Sequence, residues 1–510
     1  MPPQVEVDHF RFVHHAHVLE GQRLCLYLDP AREWDPINGL GGFLDRLFEW
    51  LADAAAGRFD AQTALYHAVG GVLHLTSGSP TVVIRNGLRS DVRVQHGWLV
   101  ARAPHRFDLV VKRPSEALEA VHVPIVTLDS DLPLGAGSDL VRLLRKVDNP
   151  YAGSPDPRAA FRTMPVNAGI SKTLLTVLGT SAIRKPEGVP QAVVIAVPHP
   201  AGGPPHLLVA SIPASGADHL RTLMRAGRKE GFVTEVPPEK VAADTPVEWW
   251  RVSDDRAEVT TRRDWSRPVA AFSGKTVHIW GCGGLGSWVA DYVVRAGAKE
   301  VTLCDPGSIT TGLLVRQNFT EADVGNAKVE ALARRLRAIN DTVKVSVHGT
   351  VIPDELDLTA VDLIIDATVS IAISRVLDSV AAGLGRPALA QMATDARTGT
   401  LGIMSVSMPN LTGGPLSIDR QAGKRVLSDG TLEAFHDLWN TSEMNAEIIP
   451  TRGCSTPTFH GSAADLAGVA ASLTSILGSH IGAVTPVSGT HLISLPHGEA
   501  GPLRTFLPAE

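Results

Sequence analysis

The stretch Lys275-Thr-Val-His-Ile-Trp-Gly-Cys-Gly-Gly-Leu-Gly286 carries the reading of this chain. Five residues with strand preference run into Gly281-Cys282-Gly283-Gly284-Leu285-Gly286, and an apolar-faced helix is expected from about Ser287 to Arg295. Glycine lets a backbone turn tightly and lie close to a ligand, and the free N–H groups at a helix start attract phosphate. Strand, glycine turn and helix together make a GxGxxG more specific than the bare pattern. Asp305 ends the next strand, EVTLCD, about 20 residues on, where a carboxylate accepts hydrogen bonds from a ribose. Up to this point NAD and ATP fit equally.

The alternation continues outward. A helix is expected over 326–340, where Val329, Leu332, Ala333, Leu336 and Ile339 share one face and Arg334, Arg335 and Arg337 the other. Strands KVSVH and VDLIIDA follow, so residues 275–366 predict a parallel, doubly wound α/β sheet. With 510 residues the chain has room for about three domains. Proline and glycine clusters at 148–158, 198–206 and 235–246 mark its loops, and the expected divisions are 1–150, 151–248 and 249–510.

Composition removes several classes. A net charge of −6 with no basic block gives nucleic acid no electrostatic footprint. No apolar run reaches the ~18 residues that span a bilayer, and the N-terminus lacks a basic-then-apolar pattern, so a cytoplasmic protein is expected. The four cysteines, Cys25, Cys282, Cys304 and Cys454, form no CxxC pair, so neither a disulfide framework nor a four-cysteine structural zinc site is expected.

The residues after Asp305 separate the two nucleotides. Arg316, Gln317 and Lys328 place two cations downstream of the ribose carboxylate, which suits a triphosphate better than a hydride carrier. No hydride-site residues support a nicotinamide oxidoreductase. The run GxGGLG, Asp305, Arg316-Gln317 and Gly325-x-x-Lys328 resembles the ThiF/MoeB and ubiquitin-activating (E1-like) adenylyltransferase family over residues 255–480. The resemblance implies that ATP with Mg2+ and the C-terminal carboxylate of a ubiquitin-like, β-grasp protein form an acyl-adenylate and pyrophosphate. It implies that Gly281, Gly283, Gly284 and Gly286 line the phosphate loop, that Asp305 holds the ribose, and that Arg316, Gln317 and Lys328 steady the phosphates. Arg262 and Arg263 resemble the family's arginine that reaches into a partner subunit's active site, so a homodimer is expected.

Two positions depart from the family. Leu313 stands where an Asn is usual, three residues before Arg316, and Val369 where an Asp normally holds magnesium. Asp366, at a strand end, is the nearby carboxylate that could substitute as metal ligand or act as a structural cap.

Cys454 lies in IIPTRGCSTPTFHGS ahead of an apolar helix for which Ser462 and Asp465 form a capping box. A helix N-terminus and Arg452 favour the thiolate, the form that attacks an acyl-adenylate. This arrangement resembles the autophagy-type activating enzymes, which implies a thioester on Cys454. Cys282 and Cys304 read as core thiols. Near the N-terminus, His14, His15 and His17, then Gly21, Leu24-Cys25-Leu26 and Trp34-Asp-Pro36 resemble the active-site stretch of ubiquitin-conjugating (E2-like) enzymes, which implies a second carrier at Cys25 and a possible conjugating-enzyme partner. Only 24 residues precede Cys25, so that α+β region is expected to be truncated or rewired. A helix over 42–56 should bury Phe43, Leu47, Trp50 and Leu51.

Residues 60–245 carry short β-rich runs without a catalytic constellation, and LLTVLGT at 174–180 with the strands after it resembles the linker of bacterial chains that fuse conjugating-like and activating-like halves. That likeness implies a bacterial ubiquitin-like conjugation route and a role in antiphage defence. Two other readings stay open: a sulfur-carrier adenylyltransferase, and an impaired scaffold that keeps the fold.

Overall fold

A computed structural model describes residues 3–7, 17–19, 23–27, 29–59, 79–89, 91–115, 119–129, 132, 139–148, 169–198, 203–227, 236, 240–242, 244–259, 262–351, 356, 358–383, 385–409, 413–439 and 461–509. The chain divides into two compact units, Met1–Thr261 and Arg262–Glu510. Among the described residues no helix is long and apolar enough to cross a membrane.

In the first unit β1 (Val18–Leu19) and β2 (Arg23–Leu24) pair antiparallel. A short helix α1 (Pro30–Glu33) precedes α2 (Gly39–Ala55), which begins three residues before the expected start. Its apolar spacing works as anticipated: Phe43 and Trp50 are buried, with Leu47 and Leu51 packed beside them against Val18, Leu24 and Leu26. Ile37, Leu40, Leu44 and Phe48 remain exposed. His14 and His15 lie outside the described residues, whereas His17 is buried with its ring edge-on to Phe59.

The β-rich runs close into a seven-stranded barrel, in the order β3 (Thr81–Ile84), β5 (Arg106–Val110), β4 (Val94–Ala103), β6 (Ala120–Thr127), β7 (Gln191–Val197), β8 (His206–Ile212) and β9 (Glu248–Asp254). The last strand pairs parallel with the first, Thr81 opposite Arg251 and Ile84 opposite Asp254. Helices α3 (Leu140–Asp148), α4 (Ile170–Arg184) and α5 (Ala214–Gly227) bury Leu143, Leu174, Leu178 and Leu220 in one core with strand residues Val193 and Ile195. The structure therefore differs from the expected divisions at 150 and 248. Strands from both sides of residue 150 share this barrel, and β9 closes it, because a strand left outside would expose a row of unpaired backbone groups.

The second unit is a doubly wound α/β domain. Its elements are β10 (Thr276–Trp280), α6 (Gly286–Arg295), β11 (Glu300–Cys304), α7 (Lys328–Ile339), β12 (Lys344–His348), β13 (Leu363–Asp366), α8 (Ile371–Ala381), β14 (Ala388–Thr394), β15 (Leu401–Ser407), α9 (Pro415–Ser428), α10 (Ala463–Ile481), β16 (Gly489–Ser494) and β17 (Leu503–Pro508). The sheet runs β12-β11-β10-β13-β14-β15-β16-β17. Its first five strands are parallel and the last three antiparallel. The apolar face of α7 packs as expected, with Val329, Leu332, Ala333 and Leu336 buried. The opposite face is not simply solvated: Arg335 donates to buried Asp291 on α6 at 2.9 Å.

Candidate functional site

After β10 the chain leaves for β11 on one side and later returns to β13 on the other. Such a reversal opens a crevice at the carboxyl ends of the strands, where ligands bind in doubly wound sheets. The glycine loop sits at that point, and its glycines are required for different reasons. Gly281 has φ +86°, and a Cβ there would lie 2.8 Å from the Ala367 carbonyl carbon and the Thr368 amide. A Cβ on Gly286 would overlap the carbonyl oxygen of Gly281 outright. At Gly284 it would meet Leu466 Cδ1 of α10 at 2.8 Å. Gly283 is different, since the nearest atom to its Cβ position is Gln317 Nε2 at 3.9 Å. Nothing in the fold demands glycine there, and a bare backbone at that place leaves room for a ligand.

Asp305, placed by the end of β11, is held rather than loose. Its Oδ2 accepts from the Cys282 amide and its Oδ1 from the Gly307 amide, both at 2.7 Å. Lys328, the first residue of α7, brings its Nζ to 3.9 Å from Oδ1, and the two side chains are only 15% and 11% exposed. The Lys328 amide donates to the Gly307 carbonyl at 2.9 Å, fixing the helix start beside the loop. The structure brings Asp305 and Lys328 together beside the glycine loop.

Gln317 is buried, and its Oε1 finds no partner among the described residues. An orphaned buried amide facing a glycine loop fits a polar ligand that would satisfy it. Arg316, its neighbour, is half-buried, and its carbonyl accepts from the Trp288 indole at 3.5 Å. The turn carrying both is anchored by Asn318, whose amide donates to Ser287 Oγ at 3.1 Å and whose Nδ2 donates to Asp291 Oδ2 at 3.2 Å. Asp291 also accepts from Arg295 and Arg335. Sequence reasoning missed this ion cluster, although Asp291 within an otherwise apolar helix face was its signal.

Asp366 does not fit a magnesium ligand. It is 0% exposed; Oδ1 accepts from the Thr368 amide at 2.9 Å and hydroxyl at 2.7 Å, and Oδ2 from Gln391 at 3.3 Å. Burial raises its carboxyl above the usual range, against those hydrogen bonds. The carboxylate caps its own strand end, the structural alternative of the sequence reading. Among the described residues no group of three His, Cys, Asp or Glu side chains could hold a metal ion. Val369, in the place of the family's Asp, is 72% exposed with φ +55°, a left-handed conformation that β-branched residues rarely adopt.

The cysteines divide. Burial, followed by the Asp305 charge, raises Cys282 strongly and pushes Cys304 up to about 12, as core thiols should be. Cys25 is half-buried, its thiol 3.6 Å from the Tyr27 carbonyl, and burial together with Glu33 raises its pKa. Cys454 and Arg452 lie outside the described residues. The capping box that follows them is present, with Ser462 and Asp465 bonded reciprocally at the start of α10. Arg262 is occupied by Asp264, at 2.9 and 2.7 Å, and by the Arg295 carbonyl. Arg263 is exposed and has no hydrogen bond or ion pair among the described residues.

A doubly wound sheet with a glycine loop, a held carboxylate and a lysine at its switch point makes an α/β domain whose crevice suits a phosphate-bearing ligand. The ThiF family model matches residues 270–499, so the C-terminal half carries a ThiF family domain. A second model, the Cap2 central linker domain, matches residues 115–255, which include most of the barrel. Among curated proteins, the chain is 30% identical over 146 residues to ubiquitin-like modifier-activating enzyme 5 of Drosophila willistoni, covering 26% of this chain and 36% of that protein. It is 31% identical over 116 residues to the sulfur carrier protein adenylyltransferase of Thermus thermophilus, covering 22% and 43%. The chain thus spans less than half the length of these relatives. Among solved structures, Escherichia coli MccB with ATP is 18% identical over 47% of this chain and 66% of that one, with a TM-score of 0.33.

Proposed function

We propose that the C-terminal domain activates the C-terminal carboxylate of a ubiquitin-like, β-grasp protein by adenylation with ATP. A carboxylate oxygen attacks the α-phosphorus, the α–β phosphoanhydride bond breaks, and pyrophosphate leaves with its electron pair. The observation that carries this reading is the partly buried Lys328 beside Asp305 at the glycine loop, 3.9 Å apart. Fixed cations in a partly desolvated crevice stabilise the charge that develops on the phosphates, and they need no reorganisation at the moment of reaction. Asp305 retains lone pairs for the ribose, Gln317 offers an unpaired buried oxygen, and Gly283 gives bare backbone. Magnesium would supply further charge neutralisation at the phosphates, and Asp366 does not fit as its ligand.

Capture of the acyl group as a thioester on Cys454 is the second step. The thiolate attacks the acyl carbon, and AMP leaves. Cys454 stands eight residues before Ser462, and Leu466, one turn into α10, touches the glycine loop. At up to about 3.5 Å per residue that span can bring the thiol to the loop. Relay to Cys25 requires that thiol to ionise, which its surroundings oppose. Arg263 is the residue offered to a second copy in a homodimer. The Cap2 linker match supports a bacterial conjugation route of the fused type, with the antiphage role that this likeness implies.

Pyrophosphate exchange into ATP, measured with a purified β-grasp protein from the same genome, tests the adenylation. Exchange that falls about a hundredfold or more in Lys328→Ala supports it. Absence of exchange with every such protein favours the scaffold reading. A thiol-labile adduct lost in Cys454→Ser supports the second step, while exchange without that adduct favours the sulfur-carrier reading.

A further inference from the structure

A cavity of about 460 Å³ opens in the first unit and is lined by Trp98, Arg113, Pro114, Ser115, Ala120, His122 and Arg184. It is assembled from β4, β6, the segment after β5 and the last turn of α4. The size is that of a small-ligand site. Among the described residues its charge is one-sided, because the lining contains two guanidinium groups and no carboxylate.

The arginines stand apart from others of the same unit. Arg85, Arg102 and Arg106 converge on Asp108, Arg93 pairs with Asp129, and Arg221 pairs with Glu187. Neither Arg113 nor Arg184 forms an ion pair among the described residues. Between them His122 is fixed from both sides. Its Nδ1 lies 2.9 Å from Ser181 Oγ and its Nε2 3.0 Å from His96 Nδ1. The Trp98 indole stands edge-on to the imidazole, ring centres 5.8 Å apart, and forms a wall.

We propose that this cavity is an oxyanion site for a phosphate group, with Arg113 and Arg184 as its clamp and His122 as a fixed wall between them. Guanidinium groups match phosphate oxygens with paired, charge-assisted hydrogen bonds. The phosphate is either free or carried by a nucleotide, whose base could lie against Trp98. Burial first, and then the nearby charges of His96 and Arg184, lowers the imidazole to about 4, so it adds no positive charge of its own near neutral pH. A bound anion would offset those charges. The site is independent of the glycine loop and of the adenylation reading.

Hydrogen–deuterium exchange of the full chain, resolved by peptide, tests the proposal with inorganic phosphate, adenosine monophosphate and adenosine as probes. Phosphate and the nucleotide should both slow exchange in peptides around His122 and Arg184, and adenosine should not. Arg113→Gln and Arg184→Gln should each weaken that protection roughly tenfold in ligand concentration. Both side chains are exposed and have no ion pair among the described residues, so an unchanged melting temperature without ligand separates lost binding from lost fold. Tighter action by the nucleotide assigns a nucleotide ligand, and equal action assigns free phosphate. No protection at millimolar probe, protection by adenosine alone, or protection that survives in the double variant overturns the proposal. Peptides of the glycine loop report the other site separately.

Discussion

Leu466 closes over Gly284: its Cδ1 lies 2.8 Å from the position a Cβ on that glycine would take, so α10 is fitted to the glycine loop. The three inner positions of the loop should therefore respond differently to alanine. Gly286→Ala collides with backbone and should prevent the domain from folding. Gly284→Ala should cost about 1–3 kcal/mol, because a buried leucine must shift. Gly283→Ala has room, so it should leave the melting temperature unchanged and weaken ATP binding. Thermal melts with and without ATP check all three.

Asp291 accepts from Arg295, Arg335 and Asn318 while only 3% exposed. Asp291→Ala leaves buried Asn318 without its acceptor, while Arg295 and Arg335 reach solvent, so it should destabilise the domain by about 1–3 kcal/mol in urea unfolding. Through Asn318 it should also loosen the turn of Arg316 and Gln317. Asn318→Ala should thus raise the KM for ATP in pyrophosphate exchange while most of the stability remains.

His480 and His491 share a hydrogen bond of 2.9 Å under Phe506. Burial, then the charges of His480 and Arg504, lowers His491 to about 3. The unfolded imidazole titrates near 6.5, so below that pH the unfolded state binds the proton more readily. The contribution is present above about pH 6.5 and is lost as pH falls towards 3. Fluorimetric melts should drop between neutral and mildly acid pH. His491→Phe should shrink the drop without abolishing it, because His480 is lowered as well.

Glu33 raises the Cys25 thiol, second to burial. Glu33→Gln should lower that pKa and speed alkylation of Cys25 by iodoacetamide a few-fold near neutral pH, followed by peptide mass spectrometry. An unchanged rate would mean that burial alone keeps the thiol protonated.

The glycine loop was legible because its signals are local. The glycines, Asp305 and Lys328 follow from a strand, a turn and a helix within 55 residues, and the capping box of Ser462 and Asp465 from four. The barrel was not legible as a closed unit. β7 and β8 are buried almost throughout, so they lack the alternation that distinguishes a half-buried strand, and closure of β9 on β3 links positions about 170 residues apart. The inward turn of Asp366 depends on Gln391 in a neighbouring strand, a partner no local pattern reveals. Val369 gave its departure from the family in sequence, but its left-handed backbone only in space.

The parallel pairing of β3 with β9 also has a mechanical meaning. The chain enters the barrel at the start of β3 and leaves it at the end of β9, on opposite rims, yet these strands are neighbours. Tension along the polypeptide would load their ladder in shear, with the registered pairs from Thr81 to Ile84 stretched together rather than unzipped in turn. The barrel is thereby built to yield late under pulling.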